Sequence, residues 1–256
     1  MYAAERRALL AARLSEHGRV SVVDAADELG VSGETIRRDL DVLQRHGLAR
    51  RVHGGAVARS VAQATELRLT DRESQHAPEK EAIAHAALDL LPGADGWVAF
   101  DAGTTTAALV DALPAEAAFD AVTHGISIAE RLARHEGVSL LVVGGRVRAT
   151  TAAAVGADTV AAYNRMRPDV AFLGTNGIAL ERGLTTPDVE EAAVKRAIVA
   201  AARQVVVLAD SSKIDTEHAM SVASIDEIDV LVTDRGVTRE QVSRLERTGV
   251  QVVVAS

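Results

Sequence analysis

The sequence contains no cysteine, which excludes a disulfide framework, a thiolate metal site and a cysteine nucleophile. Aromatic residues are almost as scarce, at 2%. The core must then be aliphatic, chiefly Ala, Val and Leu, and a stacking platform for single-stranded nucleic acid has too little to stack on. No apolar run approaches the length of a membrane span. The first residues, with Leu9, Leu10 and Leu14 ending near Gly18, read as an amphipathic helix and not as a signal sequence. No membrane partner and a cytoplasmic location are the expectations.

What is present is a chain of 256 residues, close to half of them hydrophobic, which is long enough for two domains. The formal charge of −8 would by itself argue against a nucleic-acid partner, but it is unevenly spread. Residues 1–59 carry a net +2 and the remainder −10. Within 37–59 there are six Arg against two acids, together with His46 and His53. That local excess is the footprint expected for phosphate contacts.

The stretch from Val31 to Leu43 lies inside the region of positive charge. Ser32 is suited to cap a helix, and Gly47 to stop it. Between them Ile36, Leu40 and Leu43 fall at i, i+4 and i+7 and form one apolar stripe. Glu34, Arg38, Asp41 and Arg45 lie opposite, with Thr35 and Arg37 on the flanks. On any helix such a polar face is also what a solvated surface looks like. The context argues further: Ser21 can cap a short helix with Val22, Ala25, Ala26 and Leu29 on its inner side, and Gly30 allows a tight turn into Ser32. Two short helices joined this way make a helix-turn-helix. Downstream, extended runs at 48–52 and 56–59 flank His53-Gly54-Gly55, a hairpin signal in which positive φ is expected at the glycines. A basic hairpin behind a recognition helix is a wing.

The run from Glu5 to Val57 resembles the winged-helix domain of the DeoR family of bacterial transcriptional regulators, through Val31-Ser32-x-x-Thr35-Ile36-Arg37-Arg38-Asp39-Leu40-x-x-Leu43 and His53-Gly54-Gly55-Ala56. Double-stranded operator DNA is the implied partner. Ser32, Glu34, Thr35, Arg37, Arg38, Arg51, His53, Gly54 and Gly55 are the candidate DNA-binding residues, with Thr35 and Arg38 placed on base edges and Arg37 on phosphate.

From Ser60 to Pro78 the composition turns polar, and a linker is assigned to 60–78 between a DNA-binding domain at 1–59 and an α/β domain at 79–256. In the latter, Val-rich runs at 97–100, 121–123, 138–143, 170–173, 205–208, 230–233 and 250–254 alternate with helix-length segments, as in a mostly parallel sheet covered on both faces. Ligands of such sheets sit beyond the carboxyl ends of the strands. Those ends read Asp101-x-Gly103-Thr104-Thr105-Thr106, Thr123-His124-Gly125, Gly144-Gly145-Arg146, Gly174-Thr175-Asn176-Gly177 and Asp210-Ser211-Ser212-Lys213. Each alone is also what a helix cap or an ordinary turn would use. Their recurrence at one sheet edge suggests a site for a phosphate and several hydroxyls, with the Gly-Thr loop opening a helix, Asp101 and Asp210 accepting from hydroxyls, and Lys213 pairing with phosphate.

This second region resembles the DeoR sensor domain, similar in fold to ribose-5-phosphate isomerases, in Asp101-x-Gly103-Thr104-Thr105, Leu141-x-x-Gly144-Gly145, Gly174-x-x-Gly177-Ile178, Gly183-Leu184-Thr185 and Asp210-Ser211-Ser212-Lys213. His124-Gly125 departs from the family's usual Asn-Ser, and Ile214 from its usual aromatic. The resemblance implies a repressor of sugar catabolism genes, acting as a dimer or tetramer and relieved by a phosphorylated sugar, with fructose 1-phosphate the specific expectation. No cofactor, metal or catalytic residue is expected. A rival reading is an active sugar-phosphate isomerase fused to a DNA-binding domain, but the end of the fourth strand, Gly174-Thr175-Asn176-Gly177, lacks the carboxylate base such an enzyme needs. A DNA-architectural protein whose second domain only oligomerises would leave the polar strand ends without a role.

Overall fold

The computed structural model describes residues 3–17, 19–45, 49–52, 54–58 and 69–256. It divides into two compact units, Met1–Leu67 and Arg68–Ser256. Gly47, His53, the side chain of Arg51 and residues 60–68 of the expected linker lie outside what is described.

The first unit runs α1 (Ala3–His17), β1 (Arg19–Ser21), α2 (Val22–Leu29), α3 (Gly33–Arg45), β2 (Ala49–Val52) and β3 (Gly55–Ala58). Ser21 caps α2 by accepting from the Asp24 N–H, and Gly30 closes it in the left-handed region. Leu10, Leu14, Val20, Val22, Ile36, Leu40 and Ala56 fill the core between the helices. Fully burying one such aliphatic side chain contributes roughly 1.5–3 kcal/mol. The hairpin is the expected wing, but it has a third strand: β1 pairs antiparallel with β3, giving the order β1-β3-β2. Gly54 has φ +82, as a turn needs. Gly55 does not have positive φ, contrary to the expectation. A Cβ there would lie 2.1 Å from the Val20 carbonyl oxygen, so glycine is required by the close approach of β1.

The second unit continues through α4 (Leu69–Glu73), α5 (Ala77–Ala87), β4 (Trp97–Phe100), α6 (Thr104–Asp111), β5 (Phe119–Thr123), α7 (Ile126–Leu132), β6 (Val138–Val142), β7 (Arg146–Arg148), β8 (Ala153–Val155) and α8 (Ala157–Tyr163). It ends with β9 (Val170–Gly174), β10 (Gly177–Ala179), β11 (Gly183–Thr186), α9 (Val189–Ala201), β12 (Gln204–Leu208), β13 (Met220–Ala223), β14 (Val230–Thr233), α10 (Arg239–Glu246) and β15 (Gln251–Val254). Residues 69–78, assigned to the linker from composition, therefore carry α4 and the start of α5.

All seven Val-rich runs lie in one parallel sheet of order β15-β14-β12-β9-β4-β5-β6. Alternate residues face opposite ways. Val98, Phe100, Phe172 and Val206 pack with Ile83, Leu109 and Ile128 of α5, α6 and α7. Ala99, Ala171, Leu173 and Val207 pack with Tyr163 of α8 and Val194 and Ile198 of α9. All three phenylalanines gather on the first of these faces, with ring centroids 5.8 and 6.0 Å apart around Phe100. From β4 the chain adds β5 and β6 on one side, then crosses to add β9, β12, β14 and β15 on the other. The gap between the carboxyl ends of β4 and β9 is therefore the switch point, where open α/β sheets form their ligand crevice. A small antiparallel sheet, β10-β11-β13, and the hairpin β7-β8 complete the unit.

Candidate functional site

In the first unit, the Ser32 hydroxyl accepts from the Thr35 N–H at 3.2 Å and lies 2.9 Å from the Thr35 hydroxyl, so it caps α3. The apolar stripe Ile36, Leu40 and Leu43 is buried, as its spacing requires. Opposite it, the side chains of Arg38 and Arg37 are 81% and 53% exposed. Glu34 lies 3.5 Å from Arg37 and 3.7 Å from Arg38, orienting both guanidinium groups along the outer face. Asp39 does something else: it is buried, accepts from Arg6 of α1 and lies 3.8 Å from Arg7. It ties α1 to α3 and holds the exposed helix in place. Gly54 and Gly55 form the turn and start of β3, and Arg51 lies on β2 opposite Ala56.

In the second unit, Gly103, Thr104, Thr105, Gly174, Thr175, Asp210 and Lys213 surround one cleft at the switch point. Gly103 begins α6 with no side chain capping it, so the first N–H groups of that helix open toward the cleft from a helix start that favours anions. Thr106 is buried beside Gly103 and Gly174, and its hydroxyl has no partner among the described residues. Asp210 caps the short 3-10 turn carrying Lys213 by accepting from the Ser212 N–H.

Other candidates are used differently. Asp101 is fully buried below the cleft, where Oδ2 accepts from Lys195 Nζ and, at 2.9 Å, from the Gly174 N–H. Lys195 Nζ also donates to the Gly174 carbonyl at 2.8 Å. His124 is buried against both Asp101, with Nε2 3.6 Å from Oδ1, and Tyr163, with Nδ1 3.0 Å from the phenol oxygen. A proton on Nε2 facing the carboxylate leaves Nδ1 to accept from the phenol. Burial lowers the pKa of His124 and, with Asp101 nearby, raises that of Tyr163. Thr123 closes its own loop, donating to the Phe100 carbonyl at 2.8 Å and accepting from the Gly125 N–H. Gly144, Gly145 and Arg146 are exposed beyond β6, and Arg146 is paired with Glu190, so they are not brought to the cleft. Asn176 lies at the turn into β10, its N–H 3.3 Å from the Thr185 carbonyl.

The sequence reading missed Lys195, which binds Asp101, and several residues around the cleft. Lys80 and Arg72 line the cleft. His218 stands near Asn176 and Lys213; its pKa is lowered by burial, with Lys213 acting the same way, against a hydrogen bond that the imidazole donates to the Asn176 backbone. A separate, larger cavity of about 390 Å³ lies between α5 and α6 and shares Lys80 and Thr104 with the cleft.

A winged helix-turn-helix unit followed by an α/β unit with a cleft at its switch point defines a DNA-binding transcriptional regulator with a sensing domain. The chain belongs to the DeoR family: residues 6–61 match the DeoR-like helix-turn-helix domain and residues 75–235 the DeoR C terminal sensor domain. It is similar to the HTH-type transcriptional regulator GlpR of Haloferax volcanii, at 38% identity over 99% of this chain and 98% of that protein. The putative aga operon transcriptional repressor of Escherichia coli O157:H7 is 32% identical over 98% and 93%. The glycerol-3-phosphate regulon repressor of Escherichia coli K12 is 32% identical over 86% of each chain. Among solved structures, ribose 5-phosphate isomerase A from Methanocaldococcus jannaschii is similar with a TM-score of 0.41 and 16% identity over 56% of each chain. Among the described residues no helix is long and apolar enough to cross a membrane.

Proposed function

We propose that this chain is a cytoplasmic repressor of sugar catabolism genes, and that a phosphorylated sugar in the switch-point cleft releases it from its operator. The observation that carries the reading is the uncapped start of α6, with Thr104 and Thr105, facing Lys213 across the cleft. A phosphoryl dianion there meets free N–H groups, two hydroxyls and a cation. The domain around residues 1–59 reads DNA through α3 and the wing. The unit from Arg68 onward senses the effector, and the active species is a dimer or tetramer on repeated half-sites. Asp101 Oδ2 accepts from Lys195 and the Gly174 N–H and so shapes the site from beneath, while its buried Oδ1 has no hydrogen-bond partner among the described residues. For release, the effector must bind the DNA-free arrangement more tightly than the DNA-bound one.

Thermal shifts with fructose 1-phosphate, glycerol 3-phosphate and other sugar phosphates, set against the unphosphorylated parents, test the reading. A ligand at a hundred times its Kd stabilises by ~2.7 kcal/mol. The phosphorylated compounds are expected to shift the transition and their parents to leave it unmoved. Equal shifts for parent and phosphate would remove the phosphate site.

A further inference from the structure

The seven-stranded sheet ends at β6 on an unguarded edge. β6 pairs with β5 on one side, and among the described residues no strand pairs with the other. Soluble proteins blunt such an edge with Lys, Pro or a bulge. The run 137–145, Gly-Val-Ser-Leu-Leu-Val-Val-Gly-Gly, has no charge and no proline. Leu141 and Val142, on opposite faces of the strand, are 47% and 52% exposed. At the other edge of the sheet, Val252 and Val253 of β15 are partly buried and packed on the core.

The apolar surface continues on both sides of β6. On one face α7 packs over β5 and β6. Its Arg131 turns toward α6 to pair with Asp111, and Ile128 and Leu132 are buried on the sheet. At 3.6 residues per turn, this leaves Ile126, Ala129 and Ala133 on the side away from α6. On the other side of the edge, beyond the Gly144-Gly145 turn, β7 exposes Val147. The backbone of β6 also has groups to offer. The Val143 N–H donates to the Thr123 carbonyl of β5, so odd-numbered N–H groups point into the sheet and even-numbered ones away from it. Val138 turns its own N–H to the His135 carbonyl, and those of Leu140 and Val142 face outward.

We propose that β6 pairs antiparallel with β6 of a second copy of this chain, about a two-fold axis at Leu141, joining the two sheets into one. This deepens the reading of the active species as a dimer or tetramer and rests on it. The register follows from the backbone and the charges. With Leu141 opposite its own copy, Leu140 and Val142 exchange N–H and carbonyl groups across the axis, and the Val138 N–H keeps the partner it has. The two most exposed aliphatic side chains of the strand are then covered. Glu136 and Arg146 stand five residues before and five after Leu141, so the axis brings the acid of one copy to the base of the other at both ends. The Arg146 side chain is 63% exposed beside Glu190, and a guanidinium has donors for a second carboxylate. Small residues on the outer side of α7 let that helix approach its copy. Because the axis reverses the strands, the two clefts open at opposite ends of the joined sheet, and neither is covered by the other copy.

The test uses the full chain, which has no cysteine of its own. Directly opposite residues in a non-hydrogen-bonded antiparallel pair have Cα atoms about 4.5 Å apart, within the range a disulfide spans. Leu141→Cys is therefore expected to give a covalent dimer under a mild oxidant. Ser139→Cys should not, since in this register its own copy lies four residues along, about 13 Å away. In sedimentation over a dilution series, Leu141→Lys sets two ammonium groups against each other across the axis and should raise the dimer dissociation constant by roughly a hundredfold or more. A wild type that self-associates, with Leu141→Lys doing so equally well, overturns this interface and leaves the oligomeric reading standing. Equal cross-linking at 139 and 141 overturns the register and the proposal with it. If Leu141→Lys does not fold, the two cysteine variants decide. A wild type that sediments as one chain at every concentration removes the oligomeric reading and this inference together.

Discussion

Lys195 and Asp101 meet across 94 residues of sequence, and both are buried. Removing one partner of such a pair strands the other charge, which typically costs ~3–5 kcal/mol. Lys195→Met and Asp101→Asn should each lower the unfolding free energy of the second unit by about that much, and the double variant by clearly less than the sum. Additive effects in urea unfolding would show that the two do not act as a pair. His124, next to them, has a different consequence. Its folded pKa lies below the ordinary 6.5, so the unfolded chain binds the proton more readily. The stability contributed by keeping it neutral is present above pH 6.5 and is lost as pH falls below that value. A His124→Gln variant should lose less stability than the wild type between pH 7 and 5; parallel pH profiles would clear His124 of the effect. His124 itself was visible in the sequence as a candidate at a strand end, but only the fold shows that it faces inward. Lys195 and Lys80 were legible in a way that was not used. Each stands on the stripe of its helix with apolar residues three and four positions on, Ile198 and Val199 for one and Ile83 and Ala84 for the other. A lysine on an inner stripe is a buried cation, and a buried cation calls for an anion.

At the scale of elements, α3 separates stability from function along one helix. Its buried stripe and Asp39 hold it, while Arg37 and Arg38 project from the other side. Replacing both arginines by Ala should leave the first unit folded and change its unfolding free energy by no more than about 1 kcal/mol, because exposed ion pairs contribute little. Operator binding should weaken, and its salt dependence should flatten by about 0.9 log units per log salt for each DNA phosphate that is no longer neutralised. An unchanged salt slope with intact fold would take the two arginines off the DNA. The wing shows what local sequence cannot carry. The Gly54-Gly55 turn was readable because a hairpin turn has a local signature, whereas β1, only three residues at Arg19–Ser21, has no periodicity to detect. Yet β1 is why Gly55 is glycine. A Gly55→Val side chain would meet the Val20 carbonyl and should separate β3 from β1, abolishing operator binding while the second unit still gives its phosphate-dependent thermal shift. Disappearance of both together would mean that the turn supports more than the wing. The same limit hid the small sheet β10-β11-β13, whose strands of three or four residues lie between turns. The seven strands of the large sheet were readable because strands buried on both faces carry continuous Val-rich runs.

The whole molecule carries its two functions on two units joined by one chain, and this constrains what any coupling between them can be. The parallel sheet puts the reversal of strand order between β4 and β9, and so places the proposed effector cleft without reference to DNA. The uneven charge, +2 before residue 60 and −10 after it, keeps phosphate attraction on the first unit despite the net −8. If a sugar phosphate lowers operator affinity by some factor, operator DNA must lower sugar-phosphate affinity by the same factor, since both describe one coupling free energy. For a typical coupling of ~1–3 kcal/mol that factor is about 5 to 150. Titrating the effector into the protein alone and into the protein saturated with operator should therefore give two dissociation constants whose ratio equals that of the operator affinities measured with and without effector. Lys213→Ala should bind the operator as the wild type does in the absence of effector, and should stay bound at effector concentrations that release the wild type. Should the two wild-type ratios differ, the effector would be acting on the DNA-bound protein through a second site, and the switch-point cleft could not account for release.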